Sequence, residues 1–199
     1  MAWINNKHET LSSTSDTLTA TGMTASDFNQ FLISIYGSGG TNEADITFNN
    51  DTGGNYTDRR SVNGGSDSTQ TSQNNFRAVA NAISNDTKFM VMYTFNKSDD
   101  EKLCIWESVS SEASGAGTAP TRFEHVGKWV NTSNDITEID CTNDGSGDYA
   151  SDSNISAIGD SGTKTTDWAN TQTNSIFETS DTGKHFIWNS STSTWTEVA

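Results

Sequence analysis

Phe89-Met-Val-Met-Tyr-Thr-Phe95, the turn Asn96-Lys-Ser-Asp-Asp100 and Leu103-Cys-Ile-Trp-Glu-Ser-Val109 spell a β-hairpin. Phe89, Val91, Tyr93 and Phe95 share one parity of the first strand, with Met90 and Met92 on the other, so that strand is expected to be covered in part on both sides. Similar short runs recur on either side of it. Phe31-Leu-Ile-Ser-Ile-Tyr36 stops at Gly37-Ser-Gly-Gly40, and Ala44-Asp-Ile-Thr-Phe48 alternates strictly. Arg122–Val130 carries Phe123 and Trp129 on one parity, Ile136–Cys141 mixes Ile with Thr and acids, and Asp148–Ile158 closes the series at Gly159. Many short strands separated by turn clusters predict an all-β chain, folded as a two-sheet antiparallel sandwich of jelly-roll or related Greek-key form over residues 1–159. Two helical pieces are expected at most. Thr24–Phe28 reads as one turn, and Phe76–Ile83 as two, with Phe76, Val79, Ala80 and Ile83 at helical spacing.

Beyond Gly159 the texture changes. Residues 160–174 form a polar connector with a lone Trp168, and residues 175–199 hold three strand pieces, Ser175-Ile-Phe177, Lys184-His-Phe-Ile-Trp188 and Thr194-Trp-Thr-Glu-Val198. Three short strands are barely stable alone, which predicts that this module docks on its own chain or on a neighbour. Composition agrees with a β protein of thin cores and long polar loops. Hydrophobic residues make up 31% and charged residues 19% of the 199, and Ser, Thr, Asn and Gly take up the difference. Six Trp and nine Phe argue against disorder.

The segment Phe48–Phe76 is nearly free of aliphatic side chains and is pinned by Arg59 and Arg60. It reads as a long structured excursion between strands, too poor in apolar surface to make a core element. Strand alternation would send the two arginines to opposite faces. One would tie the loop to the sandwich through Asp58 or Asp67, and the other would meet a neighbouring subunit. A net charge of −15 without a basic stripe excludes nucleic-acid binding. No apolar run reaches membrane-spanning length, and the first residues lack a signal-peptide pattern, so assembly in the cytoplasm is expected.

Catalytic chemistry has little to stand on. His8, His125 and His185 are far apart and show no metal-ligand spacing, and His185 reads as an exposed strand residue. Glu107, Glu124 and Glu138 lie in strands, but nothing singles out a pair for glycoside hydrolysis. The loops Asn49–Asn55 and Asp140–Asp148 offer the oxygen ligands that Ca²⁺ prefers without an EF-hand register; the simpler reading has Asp and Asn satisfying backbone N–H groups in their own turns. No cofactor is expected. Trp168, Trp188, Trp195 and Tyr56 could stack on sugar rings, although a chain this poor in aliphatics needs its aromatics as core builders. Cys104 and Cys141 sit in apolar runs and read as two buried thiols, with a cross-strand disulfide the alternative.

Three motifs in order resemble virion structural proteins of tailed bacteriophages, especially marine ones. They are Ile46-Thr-Phe-Asn-Asn-Asp-Thr-Gly-Gly-Asn-Tyr-Thr-Asp-Arg59; Lys128-Trp-Val-Asn-Thr-Ser-Asn134 followed by Gly147-Asp-Tyr-Ala-Ser-Asp-Ser153; and Phe177–Ser190 with Trp195-Thr-Glu-Val198. Together they cover most of the chain from about Phe31 onward. One departure is Asp152, where the family often has Gly. The resemblance implies a non-enzymatic capsid decoration or minor capsid protein, a homo-oligomer, a trimer among the options, that contacts the major capsid protein or its own copies. A carbohydrate-binding adhesion module of a head or tail fibre is the alternative. Candidate subunit contacts are Arg59, Arg60 and Tyr56 in the excursion, and Trp168, Phe186, Trp188 and Trp195 towards the C-terminus.

Overall fold

Every regular element among the described residues is a strand. The computed structural model describes residues 3–84, 86–160, 176–178, 184–189, 191–192 and 194–198. The chain divides into a larger unit, Trp3–Asp160, and a smaller one that contains the C-terminal strands. In chain order the larger unit holds β1 (Trp3–Thr10), β2 (Thr17–Thr21), β3 (Phe28–Ser38), β4 (Thr41–Phe48), β5 (Tyr56–Val62), β6 (Ser68–Gln73) and β7 (Phe76–Ser84). After these come β8 (Thr87–Phe95), β9 (Lys102–Ser110), β10 (Thr121–Trp129), β11 (Glu138–Thr142), β12 (Asp148–Tyr149) and β13 (Asn154–Asp160). The large sheet runs β1-β13-β3-β8-β9-β10-β5-β6, with β12 added to β3, and the small sheet runs β2-β11-β4-β7; all pairings are antiparallel. The two sheets pack face to face as a β-sandwich. Among the described residues no helix is long and apolar enough to cross a membrane.

One parity of each strand fills the space between the sheets. Phe31, Ile33 and Ile35 on β3, Met90 and Met92 on β8, and Trp106 on β9 meet Leu18, Ile46, Phe48 and Ile139 from the small sheet. Aromatic rings carry much of this core, as a chain short of aliphatics requires. Phe76 lies 4.9 Å from Trp106, 6.0 Å from Phe48 and 5.0 Å from Tyr56, the last two edge-on. Gly127 on β10 keeps that cluster tight, because an added Cβ would stand 2.8 Å from the Phe76 ring and 3.0 Å from Trp106.

The expected hairpin is β8–β9, and its turn is held from inside. Lys102 is fully buried, and its ammonium donates to the carbonyls of Lys97, Asp100 and Asn131 at 2.9, 2.8 and 3.1 Å. Asn96 ties the same turn to the chain elsewhere: its Nδ2 donates to Ser26 O, and its Oδ1 accepts from Ile136 N.

Three expectations are corrected. Phe76–Ile83 is not helical but belongs to strand β7, paired with β4. Register shifts at Asn42/Ala44 and Ala44/Asp45 break strict alternation, so Phe76, Ala78 and Val79 all face inward, which mimics helical spacing in the sequence. Thr24–Phe28 forms no helical turn; Asn6 supplies the partners such a turn would have given, accepting from Thr24 N at 2.7 Å and donating to Thr24 O at 2.9 Å. The excursion Phe48–Phe76 does contribute to the core. Asn49 and Asn50, at φ 52° and 56°, make a tight left-handed turn, and β5 and β6 then form a hairpin on the edge of the large sheet. Tyr56 is its one anchor, fully buried with its ring stacked on Trp129.

The smaller unit contains β14 (Ile176–Glu178), β15 (His185–Asn189) and β16 (Thr194–Val198) in an antiparallel sheet, with Trp188 opposite Trp195. The expected strand pieces of the C-terminal module are these. The connector lies outside the described residues, apart from Asp160 at the end of β13.

Candidate interaction face

The outer face of the large sheet is apolar where β3, β8, β9 and β10 run side by side. Its side chains are the parity left over once the core is filled: Phe28 on β3, Phe89 and Tyr93 on β8, Leu103 and Ile105 on β9, Val126 on β10. Register aligns them into rows. Tyr93 faces Ile105 and Ile105 faces Val126; Phe28 faces Phe95 and Phe95 faces Leu103. Phe28 and Phe95 rings lie 5.7 Å apart. Ile105 is the hub, 60% exposed, and shallow depressions of about 300, 460 and 300 Å³ all share it.

The outer parity of strand β8 is covered only in part: Val91 and Phe95 are half-buried, while Tyr93 is half exposed and Phe89 nearly so. The reason is topological: the four strands of the small sheet cover one face of the nine-stranded sheet. A solvated face of an antiparallel sheet is ordinarily polar. An uncovered apolar face marks an interaction site.

Charges border this face. Glu107 and Glu124 are register partners on β9 and β10, a like-charge pair that is unfavourable in itself. Arg122 reaches Glu124 at 3.3 Å, and Lys128 reaches Glu101 at 2.7 Å. The arrangement offers apolar adhesion inside a charged rim, the anatomy of a protein-contact surface.

The residues expected as contacts are distributed differently. Arg59 and Arg60 do point to opposite sides of β5. Arg59 lies on the outer side and pairs with Asp67 at 3.7 Å, while Arg60 turns inward, its Nε donating to Ser68 Oγ at 3.3 Å. Tyr56 is lost as a contact: its ring is in the core and its hydroxyl meets Phe48 N at 2.9 Å. Trp188 is 6% exposed and lies 5.3 Å from Trp195, so it serves the small sheet's own packing; Trp195 and Phe186 are half-buried. Trp168 lies outside the described residues. Of the aromatics expected as sugar platforms, Tyr56 and Trp188 are thus removed.

Sequence reading missed Leu103, Ile105 and Val126. The signal was available in Leu103-Cys-Ile-Trp106, which is apolar on both parities and therefore asks for cover on both faces.

The Asn/Asp loops are wired into their own turns. Asp51 accepts from Gly53 N at 2.9 Å, from Asn55 Nδ2, and from Trp129 Nε1 at 2.7 Å. Burial pushes its carboxyl up, but these bonds outweigh burial and hold it below the usual range. Asn143 Oδ1 accepts from Glu43 N and Gly145 N. Among the described residues no group of three His, Cys, Asp or Glu is placed to hold a metal. Cys104 and Cys141 are buried free thiols; burial pushes both up, Cys141 to about 12. His185 is exposed on β15, and His125 is buried with its ring stacked 4.5 Å from Trp106.

No protein-family model, curated protein or solved structure matches the chain.

Proposed function

We propose that the chain is a virion structural protein, a capsid decoration or minor capsid protein of jelly-roll type that works by contact and transforms nothing. The observation that carries the reading is the exposed row Tyr93–Ile105–Val126. An apolar strip on a chain of net charge −15 and 31% hydrophobic content is costly to leave in water unless a partner covers it. The partner is a shell protein or a further copy of the chain, and repetition on a symmetric lattice converts modest contacts into firm attachment. Assembly then takes place in the host cytoplasm.

The jelly-roll reading draws on the strand path. β1-β13-β3-β8 in one sheet faces β2-β11-β4-β7 in the other, the chain passing back and forth between sheets with its first and last long strands as neighbours. Such a path supports a route of eight strands in two Greek keys. The hairpins β5–β6 and β9–β10 are then insertions that widen one sheet, and three of their strands border or carry the exposed face.

Particles assembled with Ile105→Asp test the reading. The expected result is a loss of incorporation of about tenfold or more with the isolated variant still folded, since a buried unpaired charge at a contact costs several kcal/mol. Incorporation at the parental level overturns it.

A further inference from the structure

A polar cavity lies where hairpin β5–β6 passes β4 and β7. It measures about 230 Å³ and is lined by Asp45, Asp58, Arg60, Gln70, Gln73 and Asn75, among others. Several of its groups have hydrogen-bonding capacity that the protein leaves unused. Asp58 is 3% exposed, and among the described residues its Oδ2 meets only His125 Nδ1, at 3.6 Å, beyond hydrogen-bond reach. Asp45 is 8% exposed; Asn75 Nδ2 donates to its Oδ2 at 2.9 Å, while Oδ1 has no partner among the described residues. Arg60 spends Nε on Ser68, and its buried Nη1 has no partner among the described residues. Buried polar atoms are nearly always matched, so three unmatched ones on a single cavity point to a ligand that supplies the missing partners.

We infer that this cavity binds a saccharide ring, whose hydroxyls bridge the carboxylates of Asp58 and Asp45 and the guanidinium of Arg60. The lining selects that class by elimination. An anion would meet Asp45, Asp58 and Asp144, and a metal ion would meet Arg60 and Arg77, both of which line the same cavity. A hydroxyl donates to a carboxylate and accepts from a guanidinium with the same oxygen, and it carries no charge to be repelled. Gln70, Gln73 and Asn75 add amides that can do either. The volume is below the ~300–1,000 Å³ that drug-sized ligands occupy, which limits the site to one or two sugar rings. Arg77 is already committed to Glu43 and to Asp144, at 3.5 Å from the latter, so it closes one wall.

The inference does not rest on the assembly reading, and either can fail alone. The test is a titration of the full chain, followed by amide NMR, with glucose, galactose, N-acetylglucosamine and rhamnose in separate arms, and with glycine and calcium chloride as contrasting arms. The expected result is saturable, millimolar shifts with at least one sugar at residues 45, 58–60 and 70–75. Asp58→Asn and Arg60→Met should each weaken that sugar about tenfold or more, with the rest of the spectrum unchanged. No saturable shift with any sugar, saturation by glycine or calcium alone, or equal affinity in both variants overturns the inference.

Discussion

Asp152 occupies the turn between β12 and β13 at φ 70°, a conformation that suits glycine. Asp152→Gly is therefore expected to raise stability by about 0.5–1 kcal/mol, the relieved strain less the added freedom of the unfolded chain; chemical denaturation checks it. Asp45 gives a second expectation at this scale. Burial pushes its carboxyl up to about 6, Arg77 opposing and Asp144 and Glu43 adding. Between about pH 4 and 6 the folded chain holds a proton that the unfolded chain has released, so stability falls as pH rises through that window. Asp45→Asn should stabilise the protein by roughly 1–3 kcal/mol at pH 7 and by almost nothing at pH 4. Urea melts at the two values decide it; equal gains at both would contradict the assignment.

The hairpin β8–β9 depends on one buried lysine. Lys102→Met removes an ammonium that two turn carbonyls and that of Asn131, just past β10, share, and it is expected to cost about 3 kcal/mol or more, since each loses a charge-assisted bond. A cost under about 1 kcal/mol in urea denaturation would show that the turn holds itself. At this scale the sequence was most legible where alternation was clean: β3, β8, β9, β10 and the C-terminal strands stand close to where their apolar runs lie. It was least legible where polar strands gain order from neighbours. β1 and β2 carry Asn, Lys, Thr and Glu with few apolar residues, and they pair with β13 and β11, which no local pattern announces. Strand β7 read as helix because a bulge put Phe76 and Val79 on the same side. Alternation alone puts Arg59 and Arg60 on opposite sides of β5. Tyr56 was misplaced because one aromatic in a polar loop can be an anchor or an exposed tip, and only the ring cluster of Phe76 and Trp129 decides which.

For the whole molecule, the two-layer build is the central fact: the small sheet covers one face of the large one. It leaves the side of β8, β9 and β10 that does not face the core uncovered, and Tyr93, Ile105 and Val126 occupy it. Composition could show that apolar residues were scarce; only the sheet order shows that some are spent outside the core. The proposed assembly role makes that expenditure intelligible, because a lattice partner would remove the strip from water at about 25 cal/mol per Å² of apolar surface. An electron-microscopy map of purified particles, at a resolution that shows side chains, is the most direct measurement. The account predicts many ordered copies with Tyr93, Ile105 and Val126 buried against a neighbouring protein. Particles that lack the chain, or that carry it with this strip facing solvent, would contradict it.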